Sequence, residues 1–199
     1  MYRSAFLIVS ALLSLLPTMH AAQSKRPDLP FFDWNACPFE GCVYRQWTAR
    51  KPVVVYDTWK RTRQPLTSLA AGDKALAVTG VVITFKPGVI RMDRDHTVTQ
   101  WPTYGDRITY TLKRGDIILT YAYRGEGSWA VWFNGTYLPS FEIPPARRLD
   151  GQDCRPIECA ATYTDLGKKE WWAKVKLKSG RTGWINMDAA EFDGVDLLG

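Results

Sequence analysis

Residues 171–187 read Trp171-Trp172-Ala173-Lys174-Val175-Lys176-Leu177-Lys178-Ser179-Gly180-Arg181-Thr182-Gly183-Trp184-Ile185-Asn186-Met187. Two runs carrying aromatic and β-branched residues flank Ser179-Gly180-Arg181, which is the pattern of a β-hairpin. Side chains alternate along a strand, so Trp171, Ala173, Val175 and Leu177 point one way and Trp172, Lys174, Lys176 and Lys178 the other. The first face is expected to be buried. The second carries two readings. Lysines on an edge strand discourage sheet-to-sheet aggregation. The same basic face beside a tryptophan also offers a contact surface to an anionic polymer or a lipid headgroup.

Outward from this hairpin the chain keeps the same style. Short apolar runs fall at Val53 to Tyr56, Lys74 to Val78, Val81 to Phe85, Val89 to Met92, Ile108 to Leu112, Asp116 to Tyr123 and Ser128 to Phe133. Gly, Pro, Asn and Asp separate them, as at Pro87-Gly88, Gly125-Glu126-Gly127 and Asn134-Gly135, the last being the strongest hairpin signal in the chain. Very little shows helical periodicity. The expectation is an all-β fold of small barrels with little helix.

With 199 residues, 46% hydrophobic and 23% charged, the chain has a globular composition. Its first segment reads as a leader. Arg3 precedes an apolar run from Ala5 to Leu16, Pro17 breaks it, and Ala21 and Ala22 are small residues suited to cleavage. The run is too short for a bilayer core of about 30 Å, which takes roughly 20 apolar residues. The expectation is a signal peptide over 1–22 and a periplasmic or secreted protein without a transmembrane anchor. Losing Arg3 takes the formal charge of +6 to +5. That modest excess favours anionic neighbours but is far from a nucleic-acid binder's balance.

Export decides how the four cysteines read. Cys37 and Cys42 form one C-x4-C pair, and Cys154 and Cys159 another. In a reducing cytosol two such pairs would point to zinc. In an oxidising compartment they are expected to form disulfides, with three connectivities open. Pro and Gly inside the pairs favour two local bridges. A weak repeat is also visible: Leu69-Ala70-Ala71-Gly72-Asp73 matches Leu112-Lys113-Arg114-Gly115-Asp116, with an apolar strand after each. An offset of 43 residues is short for a complete barrel, so the repeat marks either two domains or two hairpins of one larger barrel.

Two groups of residues resemble the bacterial SH3-like (SH3b) domain family. Val55-Tyr56, Leu66, Leu69 and Gly72-Asp73 before an apolar strand look like its first half. Trp171-Trp172-Ala173-Lys174-Val175 followed by Gly180-Arg181-Thr182-Gly183-Trp184-Ile185 is similar to its closing hairpin, in which W-x-K-V precedes G-x-x-G-W-V/I. The matches cover about a third of the mature chain. The family's Asn-x-Arg stretch is replaced here by Tyr56-Asp57-Thr58-Trp59, and a Pro-rich insertion from Leu138 to Cys159 precedes the closing hairpin. The resemblance implies SH3-like barrels and a noncatalytic binding module of the bacterial envelope that touches cell-wall peptides or accompanies a hydrolase. The expected organisation is a leader over 1–22, an extension with the first cysteine pair over 23–42, a first SH3-like unit over 43–104, and a second over 105–199 with the Pro/Cys insertion.

Motifs for chemistry are missing. The chain has no G-x-S-x-G elbow, no phosphate loop and no G-x-G-x-x-G. His96 is the mature chain's one histidine, so no imidazole metal cluster is expected. Asp93-Arg94-Asp95-His96 is the one polar cluster with acid/base or metal potential, and an ion-paired loop is its default reading. No cofactor is expected. The positive signal is aromatic. Trp129, Trp171 and Trp184 are expected in the core. Trp59 lies instead in the polar, basic stretch Tyr56 to Arg63, as a platform for a peptide or sugar. Tyr56, Trp59 and Trp172 are therefore the candidate ligand-binding residues, with Lys174, Lys176 and Lys178 as a basic face. The competing reading folds Trp59 back over the barrel's open end. The expected function is noncatalytic binding of a cell-wall peptide, peptidoglycan or an envelope protein. Alternatives are an envelope hydrolase with dispersed carboxylates and a structural envelope protein.

Overall fold

A computed structural model of the chain describes residues 25–101, 106–149, 154–155 and 157–197, so the expected leader lies outside the described residues. The described chain is all-β. The strands are β1 (Phe31–Trp34), β2 (Gln46–Ala49), β3 (Val53–Tyr56), β4 (Pro65–Leu69), β5 (Lys74–Lys86), β6 (Gly88–Met92), β7 (His96–Gln100), β8 (Ile108–Leu112), β9 (Ile117–Gly125), β10 (Ser128–Phe133), β11 (Thr136–Glu142), β12 (Ala146–Arg147), β13 (Ala161–Asp165), β14 (Lys168–Lys176), β15 (Thr182–Asn186) and β16 (Phe192–Asp193). No described helix is long and apolar enough to cross a membrane.

Two sheets organise these strands, antiparallel throughout except where β12 pairs parallel with β13. The first runs β16-β2-β5-β14-β15-β3-β4, and the second β11-β10-β9-β6-β13-β12 with the hairpin β7-β8 beside it. Each closes on its own core. Trp47, Val55, Leu69, Ala173, Val175 and Ile185 fill the first. Ile90, Leu112, Ile118, Val131 and Phe141 fill the second.

The sequence expectation divides the units at 104/105, and the structure divides them differently. β14 runs antiparallel along β5, from Lys168 opposite Lys86 to Lys176 opposite Leu76. Its apolar face completes the first core, so the closing hairpin belongs with residues 43–86. Residues 88–165 form a second unit nested between two adjacent strands of the first. The physical reason is pairing: Val175 and Ala173 can be buried only against the Trp47 and Val55 side of the first sheet.

The short repeat records this nesting. β2, β3, β4 and the start of β5 recur, within a residue, as β6, β7, β8 and the start of β9 at the 43-residue offset. The pairing β5-β14-β15 recurs as β9-β10-β11. In each repeated turn the aspartate carboxylate accepts the amide of the residue after leucine, Ala70 at 2.8 Å and Lys113 at 2.7 Å. Gly72 and Gly115 hold φ of 87° and 91°, a left-handed conformation that glycine adopts without penalty. The two copies of the repeat lie in different sheets, and their leucines in different cores.

The runs Lys74 to Val78 and Val81 to Phe85 merge into the single strand β5, with a register shift opposite Lys174/Val175. β1 pairs with the far half of β5, Phe32 opposite Ile83 and Trp34 opposite Val81. Alternation then lets this one strand serve both units. Phe32 and Trp34 lie over the first sheet, while Phe31 packs on Tyr121 at 5.3 Å and Asp33 pairs with Arg124 of the second unit. Cys37–Cys42 and Cys154–Cys159 are disulfide-bonded, each with a Cα–Cα distance of 5.5 Å, which are the local bridges.

Candidate functional site

β14 lies between β5 and β15, so the edge-strand reading of its lysines does not hold. Its two faces are buried by different means. Trp171 and Val175 turn toward the first core. On the other face Trp172 meets Val81 and Ile83 of β5, and Phe32, Tyr56, Trp59 and Trp184 pack around them. The three aromatic residues singled out from sequence therefore stand in one cluster, with the Tyr56 and Trp172 rings edge to face at 5.9 Å.

Their roles differ from the expectation. Trp172 has 0% exposure, so it supports the site from beneath and is not itself a contact surface. The extension and the loop after β3 cover it, which alternation within one strand cannot foretell. Its indole N–H donates to Glu170 Oε2 at 3.0 Å. The Arg63 guanidinium sits over both rings, 4.9 Å from Trp172 and 5.3 Å from Tyr56. The core tryptophans are likewise not those expected: Trp47 and Trp172 are fully buried, whereas Trp129, Trp171 and Trp184 are half-buried at the margins of clusters.

Trp59 is half-buried and borders open space. It meets Phe32 at 5.2 Å and Trp34 at 5.8 Å, tilted by 57° and 71°, so neither ring is stacked flat upon it. Beside it runs a groove of about 430 Å³ lined by Pro30, Phe32, Trp59, Ile83, Phe85 and Glu170, with Lys60, Arg61, Arg63 and Lys168 on its rim. Among the described residues none of these four cations is within ion-pair distance of a carboxylate. The sequence offered Trp59 and its basic neighbours. It did not offer Phe32, Ile83, Lys168 or Glu170, which depend on the pairing of β1 and β14 with β5.

The basic face continues from there. Lys174 is half-buried with Nζ 6.0 Å from the Trp184 ring, and Lys176 and Lys178 are exposed. Lys169 points away, toward the second unit. Its Nζ lies 5.4 Å from the Trp129 ring, and burial, together with Arg148, pulls its pKa down to about 8.

The carboxylates Asp93 and Asp95 serve separate partners. Asp95 accepts Lys113 Nζ and the Arg114 amide, both at 2.9 Å, and these hold its pKa below the usual carboxylate value. Asp93 accepts the Thr162 hydroxyl at 2.6 Å. Asp95 is thus ion-paired and Asp93 held by a hydroxyl.

The chain matches no protein-family model, no curated protein and no solved structure.

Proposed function

We propose that this chain is an exported, noncatalytic binding protein, built of SH3-like units, that recognises cell-wall material or an envelope protein through the groove beside Trp59. The observation that carries this reading is a rim of four cations around an aromatic floor, none of them within ion-pair distance of a carboxylate among the described residues. Burying apolar surface against Trp59 and Phe32 supplies affinity, and the cations draw in and orient an anionic partner. Two local disulfides suit an oxidising compartment. The nested arrangement suits a scaffold, because the second unit is tethered at both ends and holds β5 and β14 in place.

The test is retention of the oxidised protein on purified cell-wall sacculi and on envelope extracts, repeated with Trp59→Ala. Retention that falls with the substitution supports the reading. Equal retention of both proteins, or none, removes the groove as the binding site.

A further inference from the structure

We infer that the groove binds an anionic sugar polymer, one carrying carboxylate or phosphate groups, laid along β14. This rests on the proposed binding role and names its ligand class. Three observations lead to it.

The cations recur along one strand face. Lys168, Lys174 and Lys176 share the β14 face on which Arg63 covers Trp172. At about 3.3 Å per residue this track runs roughly 26 Å from Lys168 to Lys176, several sugar rings long. A single small anion would use one end of it. Repeated negative charge uses its length.

The groove also offers little strand edge on which to hold a peptide by its main chain. Its floor is the face of β5 and β14; β5 is paired on both sides from Val81 to Thr84 and β14 from Trp172 to Lys176, while Lys168 to Trp171 pair with β5 alone. Addition of an extended peptide requires an open strand edge, and here that is limited to the first four residues of β14.

What the groove does present fits a sugar. Trp59 borders it with no ring stacked flat on it, and Phe85, 37% exposed, also lines it with Lys168 Nζ 5.7 Å from its ring. The flat Trp59 ring can receive the C–H face of a pyranose. Sugar hydroxyls also need acceptors. Glu170 gives one carboxylate oxygen to the Trp172 indole, and its other oxygen is left for a hydroxyl donor. One acid among several cations suits a ligand that bears both hydroxyls and negative groups.

The experiment measures tryptophan fluorescence and calorimetric binding with three probes of matched charge: an oligogalacturonate, a phosphodiester-linked oligo(glucose phosphate) and a hexaglutamate. Binding of either sugar-type polyanion, weakened about tenfold or more by Trp59→Ala, is expected, since truncating an aromatic at the centre of a contact usually costs this much. Arg61→Glu, at an exposed position, should weaken binding without touching the fold. Trp101→Ala, a tryptophan 66% exposed on the second unit, should leave it unchanged. Preference for the carboxylate or the phosphate probe identifies the source of the charge. The inference is overturned if hexaglutamate binds as well as both other probes, or if neither of them binds. Envelope retention that depends on Trp59, with no binding of either polyanion, sinks this inference and leaves the binding role standing. Loss of both sinks both.

Discussion

Arg63 stands over Trp172 as the cover of an otherwise apolar cluster, its guanidinium nearer to that ring than to Tyr56. A cation over two aromatic faces is held by ring quadrupoles and keeps its outer surface free for an anion. Arg63→Ala should uncover Trp172, raise quenching of tryptophan emission by acrylamide and lower stability by about 1 kcal/mol. Arg63→Lys should recover only part of this, because an ammonium lacks the flat face that lies on the rings. Unchanged quenching in Arg63→Ala would show that Trp172 has other cover.

Asp33 and Arg124 tie the N-terminal strand to the second unit. Their side chains are 8% and 30% exposed at 2.5 Å, and Arg124 also donates to the Pro139 carbonyl at 3.1 Å. Removing one member strands the other in a partly buried setting. Asp33→Ala should destabilise the protein by about 3 kcal/mol in urea unfolding. Because β1 also carries Phe32 and Trp34, the same substitution should loosen the groove and reduce ligand retention. A loss below about 1 kcal/mol would mean that water serves Arg124 as well as the carboxylate does.

The β-class, several strand limits and the local disulfides were legible because they rest on neighbours in sequence. Asn134-Gly135 forms its hairpin with φ of 46° and 75°, as the residue types require. Val53–Tyr56, Ile108–Leu112 and Ser128–Phe133 fall where their β-branched and aromatic runs lie. Features set by distant pairing were not legible. Nothing local in Lys168 or Phe32 says that both will stand beside β5, and the lysine row on β14 looks like an edge until β5 and β15 are placed beside it. β7 went unread because His96-Thr97-Val98-Thr99-Gln100 turns a single fully buried residue, Val98, to the core.

The two Leu-x-x-Gly-Asp turns give a matched test of the nesting. Asp73 and Asp116 accept equivalent amides, and each turn leucine is buried in a different core. Asp73→Ala and Asp116→Ala should each cost about 1 kcal/mol. Combined, they should be additive within about 0.5 kcal/mol, since the turns share no partners. A clear departure from additivity in calorimetric unfolding would show that the two turns are energetically coupled through the β5–β9 contact, where Thr84 donates to the Tyr121 carbonyl.

Lys169 makes stability depend on alkaline pH in an unusual direction. Burial is the leading cause that holds its pKa near 8, against 10.5 for the free side chain, with Arg148 adding repulsion and Asp165 opposing both. Below about pH 8 the folded and unfolded chains both hold the proton, and the cost of burying the cation is fully present. Between 8 and 10.5 only the unfolded chain holds it. Stability therefore rises with pH across that window, by on the order of 2 kcal/mol. Tyr44 acts the other way above about pH 10, because burial raises its pKa and only the unfolded chain then ionises. Urea unfolding at pH 7.5, 9 and 10 should show the rise, and Lys169→Met should be more stable than the parent at pH 7.5 and flat to pH 10. A parent protein that loses stability steadily from pH 7.5 would mean that Lys169 keeps its charge beside Trp129 and that Asp165 outweighs burial.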